Sequence, residues 1–176
     1  MEIRRLPQNL INQIAAGEVV ERPSSALKEL IENSLDANAT QIDIIIENGG
    51  KNLISVSDNG IGIQRHHIPL AIERHATSKL PDNNLNKIEY LGFRGEALPS
   101  IAAVSDLNLQ SKYINSNQAW SLDIIAGSFN EVYPSSLEIG TKVSIKYLFF
   151  ATPARLKFLK SSKVEKSHCH QIILKM

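Results

Sequence analysis

The chain has 176 residues, 43% hydrophobic and 21% charged, which suits one globular domain with a sizeable core and excludes wholesale disorder. A net charge of +1 gives no global field that would force a nucleic-acid or membrane partner. The single cysteine, Cys169, excludes an internal disulfide and fits a reducing, cytoplasmic setting. No apolar run approaches the roughly 20 residues of a membrane span, and residues 1–7 lack the apolar segment of a signal peptide.

Taken in chain order, residues 8–20 predict a short helix broken near Gly17. Pro23 opens a stronger helix, where its missing N–H costs little, with Ser24 or Ser25 placed to cap it. From Ala26 to Asp36, Leu27, Leu30, Ile31, Ser34 and Leu35 share one side at helical spacing. Glu29, Glu32, Asn33 and Asp36 share the other. Ile42, Ile44 and Ile46 alternate with Asp43, Ile45 and Glu47, the pattern of a strand with one extra apolar residue, covered on both faces. Asn48-Gly49-Gly50 turns the chain into a return strand, Leu53 to Ser57.

Residues 67–76 read as helical. Residues 77–95 are polar, Asn-rich and weakly periodic, and a connection of that length is usually functional. A short helix, Glu96 to Val104, precedes four strands of an antiparallel meander: Leu107–Tyr113, Gln118–Ile125, Ser128–Tyr133 and Thr141–Tyr147. Trp120 belongs to its core. Thr152-Pro153 opens a further helix, and Lys163 to Met176 begins another that stops without a cap, as in a chain shorter than its fold.

Four elements carry chemistry. Glu29 and Asn33, at i and i+4, point the same way, and a carboxylate beside a carboxamide oxygen suits Mg²⁺ and an attacking water. A solvated helix face has the same spacing. Asp58-Asn59-Gly60-Ile61-Gly62 follows a strand. The Asp58 carboxylate only accepts hydrogen bonds, so it matches the six-amino group of adenine and not the carbonyl of guanine, although Asp-Asn-Gly is also ordinary turn chemistry. Gly92-Phe93-Arg94-Gly95-Glu96-Ala97-Leu98 ends the long loop and opens a helix, whose free N–H groups suit phosphate. Thr77-Ser78-Lys79 adds hydroxyls and an ammonium at the loop's other end. No Gly-Lys-Ser/Thr is present, so the phosphate cradle is not of the Walker type. Gly140-Thr141 places a hydroxyl at a strand start.

Arranged in this order, these elements resemble the GHKL ATPases, the group of DNA gyrase B subunits, heat-shock chaperone ATPases and sensor histidine kinases. Within it the match is closest to the MutL-type mismatch-repair family. The carrying strings are 14–23, 28–37, 58–63, 74–79, 92–98 and 152–155, spread over residues 3–160, and the Gly92–Leu98 string is highly specific. The resemblance implies a Bergerat-type α/β two-layer sandwich, a mostly antiparallel mixed sheet with helices on one face. It implies Mg-ATP binding, with Glu29 as general base, Asn33 on the metal, and Asp58 reading adenine beside Asn59, Gly60, Gly62 and Thr141. Thr77, Ser78, Lys79 and Gly92 to Leu98 would hold phosphates. It also implies repair partners: a mismatch-recognition protein, an endonuclease, a helicase, and DNA bound weakly and non-specifically.

Two features depart from that family. Ala151 replaces the usual Asn before Thr-Pro-Ala-Arg. The family's second domain, which supplies a lysine to the γ-phosphate, and its dimerising domain lie beyond the length of this chain. Residues 1–176 are therefore expected to form an ATPase domain that binds nucleotide and turns it over weakly or not at all. A gyrase-type or kinase-type relative, or a short non-hydrolysing product, are the competing readings. His168 and His170, at i and i+2 of a helix, point to different faces and are poorly placed to share a metal, and His66-His67 reads as a solvated loop or helix start. The basic residues of 155–175 fit a solvated helix face better than a DNA-binding strip.

Overall fold

In the computed structural model, residues 3–77, 79 and 95–176 are described. Two helices lead: α1, Gln8–Val19, and α2, Pro23–Asp36. Helix α1 runs unbroken through Gly17, and the Arg155 side chain occupies the space where a side chain at 17 would stand. Pro23 sits in the first turn of α2 as expected, but neither Ser24 nor Ser25 caps it. Arg22 is the N-cap and gives no side-chain hydrogen bond. The buried stripe of α2 is Ala26, Leu27, Leu30, Ile31 and Ser34. Two positions reverse their expected sides. Leu35 is 47% exposed, and Glu32 is buried, its charge met by Lys28 at 2.6 Å.

The sheet contains β1 (Ile42–Glu47), β2 (Leu53–Asp58), β3 (Asp106–Lys112), β4 (Ala119–Ile125), β5 (Ser128–Phe129), β6 (Tyr133–Ser135) and β7 (Gly140–Lys146). Its order is β1-β2-β7-β3-β4-β5, with β6 also on β4, and every pairing is antiparallel. This corrects the simple meander. The last strand returns between β2 and β3, which short-range alternation cannot reveal. β1 is an edge strand with one face exposed, so Ile45 stands 55% in solvent rather than under a second layer.

Helices cover one face. α2 packs on β2, α3 (Ala97–Val104) on β3 and β4, α1 on α3, and α5 (Ser162–Ile173) on α2, while α4 (Pro153–Phe158) joins the sheet to α5. The inward rows follow from register: Ile54, Ile145, Leu107 and Ile124 in one, Val56, Val143, Leu109 and Leu122 in the next. Except for Val143 at 7%, these are at most 1% exposed, and each fully buried Leu, Ile or Val contributes about 1.5–3 kcal/mol. The following row on the same face changes character: Asp58, Thr141 and Ser111 lie side by side on β2, β7 and β3.

Residues 67–76 do not form the expected helix. Two single 3₁₀ turns, Arg65–His67 and Leu70–Ile72, bury Ile68 and Ile72 one helical turn apart. Extended backbone at Glu73 and a left-handed His75 (φ 64°) then end any helical path. Trp120 is partly buried against the core, with the Arg65 guanidinium 4.1 Å from its ring centre. No helix among the described residues is long and apolar enough to cross a membrane.

Candidate functional site

A cavity of about 280 Å³ lies between α2, the polar end of the sheet and the start of α3. Its floor is apolar: Val56, Leu109 and Val143 from the sheet and Leu30 from α2. A planar apolar ligand portion matches that surface, with a few polar groups left to orient it.

Asp58 is the most fixed of those groups. Its Oδ1 accepts the Gly60 N–H at 2.9 Å and the Thr141 N–H at 3.2 Å, and its Oδ2 accepts the Ser34 hydroxyl at 2.8 Å. The carboxylate is held from the loop, from β7 and from α2 at once. Thr141 lines the cavity beside it, and its hydroxyl lies 2.9 Å from that of Ser111. Ser111 is fully buried and also accepts the Ile63 N–H at 2.7 Å, which pins the loop after Asp58 to β3.

Helix α2 supplies the second group. Glu29, Asn33 and Asp36 all line the cavity, on one side of the helix. Lys79 donates to Asn33 Oδ1 at 3.0 Å and pairs with Asp36. These oxygens thus already hold a cation, which shows that their donor set attracts positive charge. Burial pushes the Glu29 carboxyl above its ordinary value, Glu32 adds to the rise, and Lys28 and Lys79 oppose it.

Ala76, Thr77, Gly95, Glu96, Ala97 and Leu98 also line the cavity. Gly95 lies against the Ala76 carbonyl, so the two ends of the 77–95 segment meet there. Ser78, Gly92, Phe93 and Arg94 lie outside the described residues.

Of the residues expected from sequence, the cavity gathers Glu29, Asn33, Asp58, Gly62, Thr77, Lys79, Gly95, Glu96, Ala97, Leu98 and Thr141. Asn59 and Gly60 stand beside it. Asn59 Oδ1 accepts the Thr40 and Gln41 N–H groups at 2.8 and 2.9 Å, which braces the turn before β1, and Gly60 serves Asp58 through its N–H. Ser34 and Ser111 were not singled out as site residues. A signal existed: each ends or interrupts an apolar inward row, as Asp58 does after Ile54 and Val56.

The histidines and the cysteine offer no competing centre. No cluster of His, Cys, Asp and Glu among the described residues is arranged to hold a metal. Cys169 is buried, and that burial, helped by Glu165, pushes its thiol up to about 11. Arg155 is packed over Phe149 at 5.4 Å and against Gly17, so it does not belong to an exposed basic strip.

Known proteins are similar in fold and sequence. Residues 21–144 match the family model of histidine kinase-, DNA gyrase B- and HSP90-like ATPases. The chain is 53% identical over 98% of its length to the DNA mismatch repair protein MutL of Paramagnetospirillum magneticum, and 47% identical over its full length to that of Afipia carboxidovorans. It spans 28% and 29% of those two proteins. Among solved structures, the Aquifex aeolicus MutL ATPase domain complexed with ADP superposes with a TM-score of 0.73 at 32% identity, covering 88% of this chain and 54% of that one. The N-terminal domain of a DNA repair protein gives a TM-score of 0.78 at 32% identity, over 93% and 47%. The chain belongs to the histidine kinase-, DNA gyrase B- and HSP90-like ATPase family, in its MutL branch.

Proposed function

We propose that this cavity binds Mg-ATP and that the chain serves DNA mismatch repair as a nucleotide-driven module. The observation that carries the reading is the fixed Asp58 carboxylate at the end of an apolar floor, with Glu29 and Asn33 on the helix beside it. Adenine lies on the floor with its amino group toward Asp58. The phosphates run toward Asn33, Lys79, Thr77 and the start of α3. A solved structure of the same fold, complexed with ADP, supports the reading that the chain binds a nucleotide.

Asn33 Oδ1 would hold Mg²⁺, with Asp36 as a neighbouring hard oxygen. Both already engage the Lys79 ammonium, so the donor set fits a cation. The ion, when bound, neutralises phosphate charge. Glu29 takes the proton of a water that attacks the γ-phosphorus, while the bond from that phosphorus to the ADP oxygen breaks. A carboxyl raised by burial is a stronger base than an exposed one.

Nucleotide binding is the principal activity proposed for these residues. In the whole protein, nucleotide would order residues 77–95 and promote self-association, linking mismatch recognition to strand processing with a mismatch-recognition protein, an endonuclease, a helicase and DNA. Calorimetric titration with Mg-ATP tests the core reading, beside a phosphate-release assay on the same sample. Saturable binding with slow or absent release is expected. Absence of binding would refute it.

A further inference from the structure

We propose that Ser111, buried behind the cavity wall, sets purine selectivity by locking the Thr141 hydroxyl as a hydrogen-bond acceptor toward the ligand. This rests on the reading that the cavity binds ATP, and it assigns a positioning role to a residue that does not line the cavity.

The argument is a count of protons. Ser111 Oγ has one hydrogen and two lone pairs. The Ile63 N–H points at it from 2.7 Å and occupies a lone pair. The Gly140 carbonyl lies 2.9 Å away and can only accept, so that contact uses the Ser111 proton. The third contact, with Thr141 Oγ1 at 2.9 Å, must then use the Thr141 proton. Thr141 therefore turns its hydrogen inward, and its remaining lone pairs face the cavity.

Asp58 beside it is also purely an acceptor, and both its oxygens already receive donors from the protein. The two neighbours, paired in register across β2 and β7, form an edge without a single proton to give. A six-amino purine supplies donors to that edge. A six-oxo purine brings an oxygen against two acceptors, a mismatch that discriminates strongly once the bound base shuts out water. Without Ser111, the Thr141 hydroxyl is free to rotate and donate to such an oxygen. Selectivity then rests on Asp58 alone.

The test compares Kd for ATP and for inosine triphosphate, which differs from ATP at the six-position amino group and the adjacent ring nitrogen. In Ser111→Ala the ratio Kd(ITP)/Kd(ATP) is expected to fall about tenfold. General loosening of the loop weakens both nucleotides alike and cancels in the ratio. In a Thr141→Val background, which has no hydroxyl to lock, Ser111→Ala should leave the ratio unchanged. Ser111→Cys, with its weak S–H donor, gives a partial fall and carries the test should the alanine variant not fold. An unchanged ratio in the Ser111 variants overturns this inference while ATP binding stands. A further fall in the Thr141→Val background also overturns it. Failure of the unmodified chain to bind ATP removes both.

Discussion

Ser34 donates its hydroxyl hydrogen bond to Asp58 Oδ2 across 2.8 Å, tying the last turn of α2 to the last residue of β2. This bond joins the two halves of the candidate site. On one side of it lie Glu29 and Asn33, and on the other lie Asp58, Thr141 and the loop around Gly62. A base bound at Asp58 and phosphates bound along α2 would be held at a fixed distance, because this bond and the core beneath it join the two sides.

Removing the carboxylate therefore costs more than one ligand contact. Asp58→Ala is expected to weaken ATP by about 1–3 kcal/mol, as for lost hydrogen bonds to a charged group. It also releases Ser34 and the N–H groups of Gly60 and Thr141. Calorimetry on the variant checks this. Affinity equal to that of the unmodified chain would mean the base is read elsewhere.

Glu29→Gln separates binding from chemistry. ATP affinity should stay within a few-fold, while any phosphate release disappears, because the amide cannot accept the water's proton. The same variant bears on stability. The folded-state carboxyl lies above its ordinary 4.5, so the folded protein holds that proton more tightly than the unfolded chain does. Its charge accordingly costs stability at neutral pH, and the cost fades as pH falls through the raised value toward 4.5. Glu29→Gln should melt higher than the unmodified chain at pH 7, with the difference shrinking in acid. A lower melting temperature at pH 7 would contradict the burial of this charge.

Gly140 has φ 131°, a conformation that a side chain rarely adopts, and a Cβ there would run into the Asp58 backbone carbonyl. Gly140→Ala should cost on the order of 2–4 kcal/mol. It should also lower ATP affinity, because Asp58 and Thr141 are adjacent. Denaturant unfolding and calorimetry together check this, and a neutral effect on both would show that the strand end yields easily.

Asn33→Ala removes the neutral oxygen that now accepts from Lys79. ATP binding should lose most of its dependence on Mg²⁺, by roughly tenfold or more, because metal ligation is the role proposed for the amide oxygen. Titration with and without EDTA measures it. An unaltered magnesium dependence would place the ion on other groups.

Much of this was legible in the sequence because the relevant signals are local. The α2 stripe, the β1–β2 hairpin and the Asp58 loop each follow from spacing and turn chemistry within about ten residues. Pairing partners were less accessible. Nothing near Thr141 says that β7 inserts between β2 and β3, yet that insertion places Thr141 beside both Asp58 and Ser111. Ser34 looked like part of an apolar stripe because its partner lies 24 residues away. Ile68 and Ile72 mimicked a helix because two short turns bury the same spacing. The family strings supplied roles that spacing alone left open, above all for Glu29 and Asn33.

The central claim is that an adenine nucleotide occupies the Asp58 cavity. Titrating Mg-ATP into the 176-residue chain and its Asp58→Ala variant under identical conditions tests it most directly. Saturable single-site binding to the unmodified chain, weakened about fivefold or more in the variant, is the predicted result. Equal binding to both, or none to the unmodified chain, would contradict it.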